Sequence, residues 1–302
     1  LKMRPEDQAV AEAWLQRLEN KDRDPKEVED LLYSLGETQS ANPTIQASIA
    51  RRYLSTGRTD FQALQTYRRF IENNKALCML SVLINTHLLM AAQQAGVERY
   101  FYASSACVYN ADKQKSEDVG ALKEEDAYPA LPEDGYGWEK MFSERMCRHF
   151  REDFGLQTRV ARFHNVYGPS GTWDGGREKA PAAICRKVIH AKATGNHDIE
   201  IWGDGRQTRS FMYIDDCLKG IDKIMHSDII EPLNLGSNEL VTINGLVDIV
   251  EEIVDIKLDR EYKLDAPKGV NGRNSDNTRI QELLGWQPSI ALRDGMKKTC
   301  DW

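Results

Sequence analysis

The sequence predicts an α/β protein with three parts: an all-helical first segment, a parallel sheet built from alternating strands and helices, and a smaller mixed α+β segment. Three observations predict it. Over residues 1 to 75, apolar positions recur at helical spacing between Pro and Gly punctuation. From residue 76 to 168, short apolar runs alternate with long amphipathic stretches, the order that gives a parallel sheet with right-handed crossovers. Of the 21 glycines, only Gly36, Gly57 and Gly96 fall in the first hundred residues, so turn-rich texture begins where the helical texture ends.

In the first segment, Pro5, Asp24-Pro25, Asn42-Pro43 and Thr59-Asp60 each read as a helix start, with a short polar residue able to cap free N–H groups. Sets such as Val28, Leu31, Leu32, Leu35 give each helix one core-facing stripe, so the segment reads as a cap or an interaction module. A further apolar helix runs from Leu77 to Ala95 and ends at Gly96. Arg99 to Ala103 is a buried-type strand leading into Ser104-Ser105. A helix from Tyr136 to Phe154, stopped by Gly155, precedes a strand from Thr158 to Phe163. Residues 169 to 302 supply helix Ala180 to Ala193, strand Glu200 to Trp202, a strand near Phe211 to Ile214, helix Asp215 to His226 and helix Ile243 to Ile256.

Composition excludes several classes of function. Lys plus Arg number 40 against 47 Asp plus Glu, a formal charge of -7 that gives no general attraction for nucleic acid. No apolar run is long enough for a membrane span, and the six cysteines show neither C-x-x-C nor Cys/His metal spacing. Reduced thiols in the cytoplasm or another reducing compartment are expected, with no metal.

Chemistry gathers around Tyr136-Gly137-Trp138-Glu139-Lys140. Tyr and Lys four apart share a helix face, where the ammonium is expected to lower the phenol pKa and suit Tyr136 to general acid/base work. The same spacing also fits a solvated helix face. What favours chemistry is the segment Ser104-Ser105-Ala106-Cys107-Val108-Tyr109 just past a strand end, where open α/β sheets bind ligands. Taken singly, Cys107 reads as a small buried residue, Lys179 as a surface charge, His164 as a packed strand-end residue and Trp202 as core or pocket wall.

The runs Tyr102 to Tyr109, Arg162 to Pro169, Gly171 to Ala183, Trp202 to Phe211 and Gly272 to Asn277 resemble the extended short-chain dehydrogenase/reductase family, in its branch of GDP-sugar epimerases. The resemblance covers three quarters of the chain. It implies a Rossmann-type sheet, NAD as cofactor and a GDP-hexose nucleotide sugar as substrate. It further implies that Ser105 binds the sugar C4 hydroxyl, that Tyr136 takes its proton as hydride leaves, and that Lys140 holds the nicotinamide ribose. Cys107 and Lys179 are then the pair exchanging protons at C3 and C5, and Asn165, Lys187, Arg209 and Arg273 contact the nucleotide sugar.

Two features depart from the family pattern. The family opens on a strand and a G-x-x-G-x-x-G loop whose backbone approaches the pyrophosphate, and these 302 residues contain no such motif. An Asn implied on the helix before the Ser-bearing strand is Ser81. The sheet is therefore expected to be incomplete or remodelled, its edge covered by the helical segment, by a protein partner or homo-oligomer, or by native chain beyond this sequence. Two functional readings follow: an NAD-dependent sugar-nucleotide epimerase, or a non-catalytic, epimerase-like accessory or structural subunit of a larger assembly, which would need no cofactor.

Overall fold

The computed structural model describes residues 79–132, 134–174, 178–266 and 270–302. The helices expected over residues 1 to 75 lie outside the described residues. Cys78–Trp173 and Glu178–Trp302 form one unit, whose chain begins with helix α1, Ser81–Gln94, followed by strand β1, Arg99–Ser105. Helix α2, Gly135–Phe154, and strand β2, Gln157–Phe163, complete the first crossover. β1 and β2 pair in parallel from Arg99↔Gln157 to Ser105↔Phe163. On the other edge of β2, strand β6, Leu233–Leu235, also pairs in parallel, so the sheet order is β1-β2-β6.

Strand β2 is buried over five successive residues because both faces of the sheet are covered. On one face Val160 packs with Leu89 of α1 and with Cys147 and Phe150 of α2. On the other, Ala161 packs with Cys217 and Ile224 of helix α4, Ile214–His226, and with Ile280 of helix α6, Thr278–Leu284. Neighbouring residues of one strand thus serve opposite layers, as the period-2 pleat requires.

The ends of α2 follow from local chemistry. Asp134 Oδ1 accepts from Gly137 N at 2.9 Å, capping the first turn. Gly155 takes φ +74°, and its N–H returns to Arg151 O at 3.0 Å. One turn on, Thr158 Oγ1 donates to the Cys147 carbonyl at 3.0 Å and ties the start of β2 to the helix.

The remaining chain builds a second core. Strand β3, Asn165–Tyr167, pairs in parallel with β5, Thr208–Tyr213, which also pairs with β7, Leu240–Thr242, and with β9, Gly272–Arg273. Among the described residues, strand β4, Asp198–Trp202, pairs only with β8, Asp259–Lys263. Helices α3, Ala180–Thr194, α5, Ile243–Val254, and α7, Leu292–Asp301, bury Val188, Leu246, Val250 and Met296 among Ile199, Ile201 and Phe211 of the strands.

Several expected boundaries are corrected. The strand expected at Phe211 to Ile214 runs from Thr208 to Tyr213, and Ile214 opens α4. Two acids in that first turn, Asp215 and Asp216, favour a helix N-terminus there. The helix expected to reach Ile256 stops at Val254 because Asp255 takes φ +56°. Trp202 is 43% exposed, with its Nε1 donating to Glu200 Oε1 at 2.9 Å, and so stands outside the core.

Candidate active site

The carboxyl end of β1 is where the candidate residues meet. Ser105 ends the strand in extended conformation, and its Oγ accepts from Cys107 N at 3.2 Å, turning the chain into a single 3₁₀ turn over Ala106–Val108. Tyr136 stands in the first turn of α2, beside Ser105 and Cys107. One turn further, Lys140 Nζ donates to Ala103 O at 3.1 Å and lies 5.5 Å from the Tyr136 ring centroid and 5.0 Å from that of Tyr102.

The approach of α2 to this turn depends on Gly137. A Cβ there would stand 2.3 Å from the Cys107 carbonyl oxygen and 2.8 Å from Pro132 Cβ. Both are short of contact distance, and one obstacle is backbone. Gly137→Ala is therefore expected to destabilise the fold by about 1–3 kcal/mol and to displace the Cys107 turn. Urea unfolding measures the first effect, and the alkylation rate of Cys107 in the native state measures the second.

The expected lowering of the Tyr136 phenol is overturned. Although 45% of the residue is exposed, partial burial pushes the phenol up, the neighbouring Cys107 adds to the rise, and the Ser105 hydroxyl opposes it. Lys140 spends its ammonium on a backbone carbonyl instead of on the phenol oxygen.

Arg273 reaches Cys107 from the second core. Its Nη1 lies 3.6 Å from Cys107 Sγ, and its Nε donates to Gln114 Oε1 at 2.6 Å. Pairing of β9 with β5 sets Arg273 beside Arg209 in register. Arg209 donates to Thr208 O at 2.7 Å and to Val270 O at 2.5 Å. Asn165, on β3, donates to Ser210 O at 3.1 Å.

Two further candidates stand on α3. Lys187 Nζ donates to Glu200 O at 2.7 Å, and burial lowers its pKa. Lys179 is the exposed N-cap residue of the helix, and among the described residues no side-chain contact joins it to Cys107. Ser105, Cys107, Tyr136, Lys140 and Arg273 are thus brought together, while Lys179 and Lys187 lie along a separate helix.

Beneath this cluster runs a buried polar network that the sequence analysis missed. Arg162 on β2 forms a two-pronged pair with Glu144 of α2, Nε to Oε1 at 2.9 Å and Nη2 to Oε2 at 2.7 Å, with both side chains 3% exposed. Ser104 Oγ donates to the same Glu144 at 2.5 Å, and Arg162 Nη1 donates to Glu124 O at 2.7 Å. Asn234 of β6 accepts from the Tyr109 hydroxyl and donates to Leu122 O and Asp276 O, joining three loops. Asn85 on α1, one turn after Ser81, donates to Glu139 Oε1 at 2.5 Å and Ser143 Oγ at 3.1 Å.

His164 completes the network as a hydrogen-bonded strand-end residue, with Nε2 3.1 Å from Asn234 Oδ1. Burial lowers its pKa from 6.5 to about 4, the Asn234 bond opposes this, and the charges of Arg273 and Arg162 add to it. The folded protein therefore holds a neutral imidazole that the unfolded chain protonates below about pH 6.5. Its stabilisation is complete above that pH and is lost as pH falls toward about 4, reaching about 3 kcal/mol. Urea unfolding of the parent and of His164→Leu at a series of pH values checks this, since only the parent should show that component of the acid limb.

The chain is similar in sequence and fold to known proteins. Residues 59–236 match the NAD dependent epimerase/dehydratase family. The chain is 49% identical over 234 residues to GDP-mannose 3,5-epimerase 1 of Oryza sativa subsp. indica, covering 77% of this chain and 60% of that protein. It is 46% identical over 234 residues to GDP-mannose 3,5-epimerase of Arabidopsis thaliana, covering 77% and 61%. The chain thus spans about three fifths of the length of these relatives. Among solved structures it resembles the UDP-glucose 4-epimerase of Thermotoga maritima, with TM-score 0.63 and 26% identity over 71% of this chain and 66% of that one. A UDP-glucuronic acid 4-epimerase of Bacillus cereus, in complex with UDP-glucuronic acid and NAD, shares the fold with TM-score 0.62 at 22% identity, covering 78% of this chain and 68% of that one.

Proposed function

Because the chain belongs to the NAD dependent epimerase/dehydratase family, we propose that it works as a nucleotide-sugar epimerase acting on a GDP-hexose of the GDP-mannose type. The observation that carries this reading is the convergence of Ser105, Cys107, Tyr136, Lys140 and Arg273 at the carboxyl end of β1. Tyr136 and Lys140 fit the ribose end of a nicotinamide dinucleotide, since a hydroxyl and an ammonium one turn apart face the end of a parallel strand. Among the described residues no glycine-rich strand-to-helix loop cradles a pyrophosphate. A bound nicotinamide would supply hydride acceptance and return.

The chain's own groups do the rest. Ser105 orients the sugar 4-hydroxyl and Tyr136 removes its proton, with Lys140 holding the ribose. Oxidation at C4 acidifies the C3 and C5 protons, because each carbanion is delocalised onto the neighbouring carbonyl. Cys107 exchanges protons on one side, its sulfur 3.6 Å from Arg273 Nη1. Lys179 is the partner acid, delivered when the substrate brings the N-terminus of α3 to the site. Asn165, Lys187, Arg209 and Arg273 bind the nucleotide sugar, the guanidinium forks matching its diphosphate. No described residue favours the accessory-subunit reading. Among the described residues no helix is long and apolar enough to cross a membrane.

Incubating the full chain with NAD and GDP-mannose in deuterated water tests the reading. Deuterium entering C3 and C5 of the recovered sugar is the expected result. A sugar recovered without deuterium, from a protein that retains no dinucleotide, would overturn it.

A further inference from the structure

Helices α3 and α7 pack within the second core, and at their contact lie two thiols that the proposed chemistry does not use. Cys185 is 5% exposed inside this core, and the half-buried Cys300 packs against it. Both line a cavity of about 500 Å³, with Trp173, Arg186, Ile189 and His190 among its other walls. A small solute entering that cavity meets both sulfurs. The other described cysteines differ: Cys147 and Cys217 are 0% and 3% exposed in the cores on the two faces of the β1-β2-β6 sheet, and Cys107 faces Arg273.

Exposure divides the labour. Cys300 is half-buried and is the first of the two sulfurs that a solute meets, while Cys185 is 5% exposed. The neighbouring Cys300 and burial hold the Cys185 thiol high, and the neighbouring Cys185 lowers that of Cys300. One sulfur is therefore disposed to attack and the other to follow.

We propose that Cys185 and Cys300 form a reversible disulfide site whose oxidant is a small hydroperoxide, and that the bond ties α3 to α7. In the first step the Cys300 sulfur attacks the O–O bond. It keeps one oxygen as a sulfenic acid, and the other oxygen leaves as water. In the second step the Cys185 sulfur attacks the sulfenic sulfur, the S–S bond forms, the S–O bond breaks, and the second water leaves with the Cys185 proton. Two thiols and one hydrogen peroxide become one disulfide and two waters: the sulfurs are oxidised, the peroxide oxygens reduced. An external dithiol restores both thiols. The tether fixes the helix that begins at Lys179 and carries Lys187.

Peptide mapping of the full chain tests the site independently of any enzyme activity. The reduced protein is treated with a few equivalents of hydrogen peroxide, its remaining thiols are alkylated, and the digest is analysed by mass spectrometry with and without dithiothreitol. The expected result is a single intramolecular link between the Cys185 and Cys300 peptides, an intact mass lighter by two hydrogens, and full reversal by dithiothreitol. In Cys185→Ala, Cys300 has no resolving thiol and is expected to run on to sulfinic acid. A parent protein in which both cysteines stay alkylatable while another thiol oxidises would overturn the proposal, as would Cys300 linked to a different cysteine. The parent result stands whether or not the variant folds.

Discussion

Arg162→Met is expected to destabilise the folded unit by about 3–5 kcal/mol, because it leaves the Glu144 carboxylate charged and unpaired at 3% exposure. Burial sets this magnitude. A carboxylate that loses its partner at the surface is rehydrated at little cost, whereas here α2 and β2 close over it. The reverse change, Glu144→Leu, strands the guanidinium in the same way. Replacing both together is expected to be milder than Arg162→Met alone, since two buried charges leave the interior at once. Recovery stays partial because the Ser104 hydroxyl loses its acceptor and the Glu124 carbonyl its donor. Urea unfolding of the two single variants and the double variant measures all three. An Arg162→Met protein within about 1 kcal/mol of the parent would refute the pair as a structural element.

That pair shows where sequence reasoning stops. Helix α2, expected from Tyr136 to Phe154, runs from Gly135 to Phe154, and its end was legible because the stop signal is local: Gly155 in the left-handed region. The parallel pairing of β1 with β2 follows from strand-helix-strand order. Strand β6 has only three residues, β9 only two, and neither shows a period. Strand β8 reads Asp-Arg-Glu-Tyr-Lys and is mostly exposed, so it carries no apolar alternation. Ser105, Cys107, Tyr136 and Lys140 were legible as motif positions. What they touch was not, because the contacts of Glu144, Arg162, Asn234 and Arg273 span 18 to 166 residues and leave no local trace. An arginine within an otherwise buried strand was the one available signal, since such a charge demands a partner.

Tyr136→Phe is expected to lower turnover in the proposed reaction by about 10²–10⁴-fold while leaving stability within about 1 kcal/mol of the parent. The two effects separate because the substitution removes one oxygen. The ring keeps its packing and its place beside Lys140, and the lost hydroxyl stands at a partly open position. Phenylalanine cannot take the 4-hydroxyl proton, so the loss belongs in kcat. The pH profile gives a second handle. Burial and Cys107 hold the phenol above its ordinary 10.0, so the fraction able to act as base grows as pH rises through the neutral and alkaline range. The Ser105 hydroxyl pulls the phenol down. Ser105→Ala is therefore expected to move the alkaline limb of kcat to higher pH, and Tyr136→Phe to abolish that limb. Identical limbs in the parent and Ser105→Ala would mean that some other group takes the proton.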